Sequence, residues 1–313
     1  MKIYVGNTDR KWYDFLSSRA KTEEVNFWRP SGNSNRFQAI SPGELFFFRL
    51  KSPVNVVAGF GTFVYHSVVP LHLAWDAFGE VNGCGTMTEL IELIGQYRHA
   101  APQPEAAMTW QIGCTMLSNV RFYPESEWLP LSFPPGLMTG KSLDVQSEGG
   151  QLIWGHMQRY AQKREAGPSA KSSYSLVAEE RALYETVKIK QRIGQGAFRV
   201  MVLDAYNRRC CMTGERTLPV VDAAHIQKHV SIESNDVRNG LALRKDIHSL
   251  FDSGFIAVNQ DYKVLVSNKI QKYYENGREY RQLEGREIVL PGQRNNLPSK
   301  EAIQWHLDTV FLG

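Results

Sequence analysis

The spacing of apolar and polar residues changes period several times along the chain. Residues 44–50 form an almost unbroken apolar run behind the turn-forming pair Pro42-Gly43, which reads as a strand. Val56 to Tyr65 is a second β-rich run, and Gly59 and Gly61 inside it predict a bulge or a bend. Trp110 to Ser118, followed by Val120 to Tyr123, makes a third. Elsewhere the period shifts to that of a helix. Helices are predicted over Asp9–Arg19 and, behind a Thr88 cap, over Glu89–Tyr97, with Leu90, Ile91, Leu93 and Ile94 as the apolar side. Several strands with few helices predict a small α+β barrel.

Residues 162–175 break this pattern. They are charged, Ser-rich and punctuated by Gly167-Pro168, with almost nothing apolar to bury, and so predict a linker over 162–178 between domains at 1–161 and 179–313. Beyond it, Phe198, Met201, Val202, Ala205 and Tyr206 form one helical stripe. A strand is predicted over Pro219–Ile226, then a polar segment over Gln227–Arg238 and a strand over Gly240–Arg244. A short helix over Asp246–Ser253 follows, stopped by Gly254, and a hairpin over Phe255–Ser267 turns at Asn259 to Asp261.

Composition narrows the class. The 313 residues are 42% hydrophobic and 22% charged, as in soluble globular proteins. No apolar run reaches the ~18 residues of a membrane span, and Met1 to Gly6 is too short in apolar content for a signal peptide. Cys84, Cys114, Cys210 and Cys211 have neither disulfide-framework nor zinc-site spacing, so a reducing cytoplasm is the expected compartment. A net charge of +4 is mild, but residues 187–220 hold seven Lys/Arg against two acids. Lys188, Lys190, Arg192, Arg199, Arg208 and Arg209 in this run are candidates for phosphate contact; the alternative is a solvated face.

The chemistry concentrates on the predicted strand–loop–strand–helix. His225 ends one strand, Asn239 opens the next, and His248 lies on the helix. Phosphodiester hydrolysis needs a base to activate water and a cation to take up charge on the phosphate. An imidazole suits the base, and imidazole or carboxylate suits the metal. Asn239 can fix the base's ring or ligate the metal through oxygen. His248 and Asp252 are four apart and share a helix face.

The words Arg192-x-Gly194-Gln195-x-x-Phe198-Arg199, Cys211-Met-Thr-Gly214, Asp222-Ala-Ala-His225-Ile226, Asn239-Gly-Leu-Ala-Leu243 and Asp246-Ile-His248-x-Leu-Phe-Asp252 resemble the HNH (ββα-metal) nucleases of modification-dependent restriction systems. The resemblance implies His225 as general base, His248 as ligand to a divalent ion such as Mg²⁺ or Mn²⁺, and Asn239 as the positioning or ligating residue. Asp222 and Asp252 are further ligand candidates. Many HNH nucleases carry His or Asp directly before the base, where this chain has Ala224. Asp222, two along the same strand, is the candidate to replace it.

In the first half, Asn26 to Gly32, Phe37 to Phe48 and Val57 to Gly61 resemble the PUA superfamily, which includes SRA and EVE domains. That implies a PUA-like β-barrel with flanking helices that holds an extruded base in an aromatic pocket. Candidates are Trp28 and Phe27, with Trp12, Trp75 and Tyr123 behind them; Arg29, Arg36 and Lys51 would meet phosphates. The implied function is a two-domain endonuclease acting on double-stranded DNA with a modified base, a substituted cytosine, with no membrane partner. A homodimer would supply two cutting centres. The alternatives are an HNH nuclease reading plain sequence, RNA or a backbone modification, and an inactive DNA-binding regulator.

Overall fold

A computed structural model describes residues 1–19, 22–32, 37–99, 104–134, 136–165, 193–228 and 235–313. The chain divides into two units, Met1–Arg192 and Ile193–Gly313, and both mix helix with strand. No helix among the described residues is long and apolar enough to cross a membrane.

In the first unit the strands are β1 (Lys2–Thr8), β2 (Glu24–Arg29), β3 (Leu45–Leu50), β4 (Val56–Pro70), β5 (Gln111–Phe122), β6 (Leu129–Pro130) and β7 (Gly140–Asp144). They form one sheet in the order β2-β5-β4-β3-β1-β7, with β6 added to β4. β1 and β3 run parallel, Tyr4 opposite Phe46, and the other pairs are antiparallel. The apolar run of β3 exists because both faces are covered. Phe46 and Phe48 pack with Tyr4, Trp12, Leu16 and Phe27 on one side, while Leu45 and Phe47 pack with Ile3, Val5, Ile153 and Met157 on the other. Burying each Phe contributes roughly 1.5–3 kcal/mol. Register shifts between Phe60 and Thr62 and between Phe63 and Tyr65 bend β4 within and beside its predicted bulge. The sheet curls far enough for Phe27 of β2 to meet Phe46 of β3, ring centroids 4.7 Å apart. A Cβ on Gly6 of β1 would collide with the Phe46 ring and stand 3.0 Å from that of Phe27, so this approach requires glycine.

Helices α1 (Arg10–Ser17), α2 (Leu71–Phe78), α3 (Met87–Arg98) and α4 (Glu148–Glu165) flank the sheet. α3 begins earlier than predicted because Thr86, not Thr88, caps it, its hydroxyl accepting from Glu89 N at 3.2 Å. α4 runs four residues into the predicted linker: Gln162, Lys163, Arg164 and Glu165 are good helix formers, and Lys163 Nζ pairs with Glu127 at 2.7 Å. The rest of that segment lies outside the described residues.

In the second unit α5 (Gln195–Ala205) lies against β8 (Val221–His225) and β9 (Gly240–Arg244), and α6 (Lys245–Asp252) follows. β9 opens on glycine because α5 packs directly on it; a Cβ there would collide with Val202. Gly254, at φ +76°, ends the α6 turn. The hairpin β10 (Ile256–Val258) and β11 (Val264–Val266) comes next, and the helix α7 (Lys300–Thr309) follows near the end of the unit.

Candidate active site

β8 and β9 pair antiparallel, with Asp222 opposite Leu243 and His225 opposite Gly240. α6 follows β9 without a gap and turns its His248 and Asp252 back toward β8. His248 Nδ1 lies 3.7 Å from Asp222 Oδ2, and its Nε2 lies 3.5 Å from Asp252 Oδ2. The three side chains thus form one group.

His225 is held separately. Its ring stacks on Phe198 of α5, centroids 4.0 Å apart and planes within 10°. Its Nε2 lies 2.9 Å from Asn235 Oδ1. The Asn235 amide is oriented by its other end, where Nδ2 donates to Ile193 O at 2.5 Å. An amide oxygen only accepts, so Nε2 carries the proton and Nδ1 is the basic nitrogen. Burial pushes the His225 pKa below its ordinary value, and the positive charge that His248 can carry adds to this; the Asn235 bond and Asp252 act against it. His225 therefore favours the neutral form that a base requires.

Asp222 is ionised for the opposite reason. Burial alone would raise its pKa, but the nearby His248 ring, the Arg199 charge and the Ala223 N–H together outweigh it and lower it. Arg199 Nη1 sits 2.8 Å from Asp222 Oδ1. On the other carboxylate, Lys228 Nζ sits 2.6 Å from Asp252 Oδ2, while Asp252 Oδ1 is buried without a hydrogen-bond partner among the described residues. A buried orphan acceptor fits a cation, and two carboxylates with an imidazole make a donor set that Mn²⁺ or Mg²⁺ accepts. Among the described residues no three such groups converge closely enough to enclose an ion as they stand; Arg199 and Lys228 occupy the carboxylates instead.

Asn239 bonds the backbone of the segment that follows β8. Its Oδ1 accepts from Gln227 N at 2.9 Å and its Nδ2 donates to Gln227 O at 3.0 Å. It ties down the backbone just beyond His225; the residue that reaches the His225 ring is Asn235. Of the basic candidates, Arg199 is paired with Asp222 and Arg208 with Asp204 at 2.8 Å. Arg209 has its Nε buried without a hydrogen-bond partner among the described residues. Arg199 and Arg208 thus stand in internal ion pairs. Lys188, Lys190 and Arg192 lie outside the described residues.

Residues 210–259 match the HNH endonuclease family. The match is confined to this segment of the second unit. It spans β8, β9 and α6, and with them Asp222, His225, Asn239, His248 and Asp252. No curated protein matches the chain. Among solved structures, ASCH from Zymomonas mobilis is 11% identical, covering 49% of this chain and 94% of its own, with a TM-score of 0.33. The modification-dependent TagI restriction endonuclease is 12% identical, covering 98% of this chain and 81% of its own, with a TM-score of 0.27.

The first unit holds a cavity of about 390 Å³ beside the end of β1. Five residues that the sequence singled out line it: Trp12, Phe27, Trp28, Arg29 and Lys51. Trp12 and Phe27 are at the same time core residues, 5% and 6% exposed. Trp28 is half-buried, and its ring is fixed by an indole N–H donated to Asn82 O at 2.8 Å and an edge contact to Tyr97. Trp75 and Tyr123 do not line the cavity. Trp75 is half-buried on α2, and Tyr123 is fully buried on the opposite face of the sheet against Tyr160 and His156. Arg36 lies outside the described residues.

Several lining groups had not been singled out. Arg49 is buried and donates to Leu131 O at 2.7 Å, Asn7 Oδ1 at 2.9 Å and Asn55 Oδ1 at 2.6 Å. Its signal was a lone cation inside an apolar run. Lys51 Nζ donates to Tyr97 OH at 2.8 Å, which donates to Asp9 Oδ2 at 3.0 Å. Asn235 had no signal, being one polar residue in a polar loop.

Proposed function

We propose that this chain is a modification-dependent DNA endonuclease. The cavity of the first unit takes an extruded modified base, a substituted cytosine, from duplex DNA, and the HNH domain hydrolyses the backbone. The observation that carries the reading is the His225 ring, stacked on Phe198 and bonded through Nε2 to Asn235, in the same unit as the Asp222–His248–Asp252 group.

In this mechanism His225 Nδ1 takes the proton of a water molecule as its oxygen attacks phosphorus. The new P–O bond forms as the bond to the leaving oxygen breaks, and that oxygen takes a proton from solvent. Asn235 and Phe198 hold the ring in one tautomer and one plane. Asn239 fixes the loop that follows. His248, Asp252 and Asp222 would hold a divalent ion, Mg²⁺ or Mn²⁺, which when bound supplies positive charge to the phosphate and leaving oxygens. Two such centres in a homodimer would cut both strands, and four buried thiols suit a reducing cytoplasm.

In the first unit, Trp28 offers a ring face for stacking, and Arg29 and Lys51 offer charge to the flanking phosphates. The test is cleavage of one DNA prepared unmodified, with 5-methylcytosine and with 5-hydroxymethylcytosine, in Mg²⁺ or Mn²⁺. Cutting of a modified form alone is expected. Equal cutting of all three would reduce the protein to an HNH nuclease with another target, and no cutting of any would favour a binding protein.

A further inference from the structure

Met138 is 84% exposed, the most exposed large hydrophobic side chain among the described residues, yet it also lines the cavity that holds Trp28. A residue both exposed and lining stands on the rim. Single exposed apolar residues are ordinary; the mounting of this one is not. Asn7 of β1 grips the chain on either side of it, its Nδ2 donating to Leu137 O at 2.7 Å and its N donating to Thr139 O at 3.0 Å. Asn7 is itself fixed through Oδ1 by the buried Arg49 at 2.9 Å. The backbone at Met138 is thus tied to the sheet while its side chain projects into water. Arg29 and Lys51 line the same cavity, with charge suited to a DNA backbone.

Resting on the cavity reading above, we propose that Met138 is the wedge that enters the base stack of duplex DNA as the modified base leaves it. An extruded base leaves a gap whose neighbours lose stacking, and apolar side chains that fill such gaps offset that cost. An unbranched, polarisable thioether can slide between base planes without a fixed shape. Aromatic cavity and apolar wedge then act on the two ends of one movement: Trp28 receives the base while Met138 takes its place.

The test uses the full chain in EDTA, so that binding is read without cleavage, and the modified duplex that the wild type binds best, with 2-aminopurine beside the modified cytosine. Wild type should bind and raise the 2-aminopurine fluorescence as stacking is lost. Met138→Ser should bind about tenfold more weakly with a smaller rise, and Met138→Leu should behave like wild type. Opposite an abasic site there is no pair to break, so there Met138→Ser should recover to within about threefold of wild type. Its melting temperature should not move, because the side chain is exposed.

Met138→Ser binding the paired duplex as tightly as wild type, while Trp28→Ala loses the preference for modified DNA, would overturn the wedge and leave the cavity reading standing. An equal loss on the paired and abasic-opposed duplexes would also overturn it, making Met138 a surface contact. If Trp28→Ala bound modified and unmodified DNA just as wild type does, the cavity reading would fail and the wedge with it.

Discussion

Replacing Asn235 by alanine removes the bond of 2.9 Å to His225 Nε2 and that of 2.5 Å to Ile193 O. A neutral hydrogen bond contributes about 1 kcal/mol net, and ~1.36 kcal/mol is tenfold in rate. The ring would lose its preference for the tautomer with basic Nδ1, at a cost of about fivefold in kcat. Phe198 still stacks on the ring, so the loss should stay well short of the ~10²–10⁴-fold expected when a general base is deleted. The pH profile gives an independent reading. Burial lowers the wild-type His225 pKa, so the base stays unprotonated into mild acid and the acidic limb of kcat/KM should lie below the ordinary ~6.5. Asn235→Asp would put a carboxylate on the ring, favour the imidazolium and move that limb to higher pH. Single-turnover cleavage from about pH 5 to 8, with melting temperature as a control, measures both. An Asn235→Ala variant that is folded and fully active, or a limb that moves to lower pH in Asn235→Asp, would refute the assignment of Nδ1 as the base.

His225→Ala should lower cleavage by ~10²–10⁴-fold with DNA binding intact, measured by cleavage and by fluorescence anisotropy; near-normal cutting would remove it from the chemistry. Excess EDTA should stop cleavage, and His248→Ala or Asp252→Asn should raise the Mn²⁺ concentration needed to restore it; calorimetric Mn²⁺ affinity equal to wild type would exclude those ligands. Residues 176–313 alone should fold and cut without preferring modified DNA, so retained preference would contradict the division of labour. Trp28→Ala should weaken binding to modified DNA by roughly ten- to a hundredfold, the ~1–3 kcal/mol of one stacked base, and leave unmodified DNA unaffected. A purely core role would instead lower the melting temperature, since loss of a core aromatic costs ~3–5 kcal/mol.

The elements of the second unit were legible because local chemistry specifies them. β9 spans Gly240–Arg244 as read, and α6 is displaced by one residue from the predicted helix; in each case a turn residue and a clean apolar period mark the ends. Placing Asp222, His225, His248 and Asp252 on adjoining elements followed from that frame. What each side chain bonds did not, because it depends on the path of the loop between β8 and β9. That path gives Asn235 to the ring and Asn239 to the backbone. α4 escaped notice although Ile153, Met157 and Tyr160 stand at i, i+4 and i+7, because Gly149, Gly150 and Gly155 break up the stretch that carries them. Trp75 and Tyr123 were assigned to the cavity on residue type alone, and type does not say which face of a sheet a ring fills.

The pairing of β1 has a consequence in time. Residues 2–8 find parallel partners at 45–50, but their other edge waits for residues 140–144. The first sheet therefore closes late, and by contacts far apart in the chain, which are slow to form. His248 follows Asp144 by about a hundred residues, about 5–20 s of synthesis at ~5–20 residues per second. On the ribosome the first sheet thus gains its last strand before the HNH segment is complete. A chain released in that interval would have the cavity but no cutting site. Limited proteolysis of a released chain ending at residue 165 checks this: resistance across 2–144 is expected, and uniform digestion would show that the first unit waits for the second.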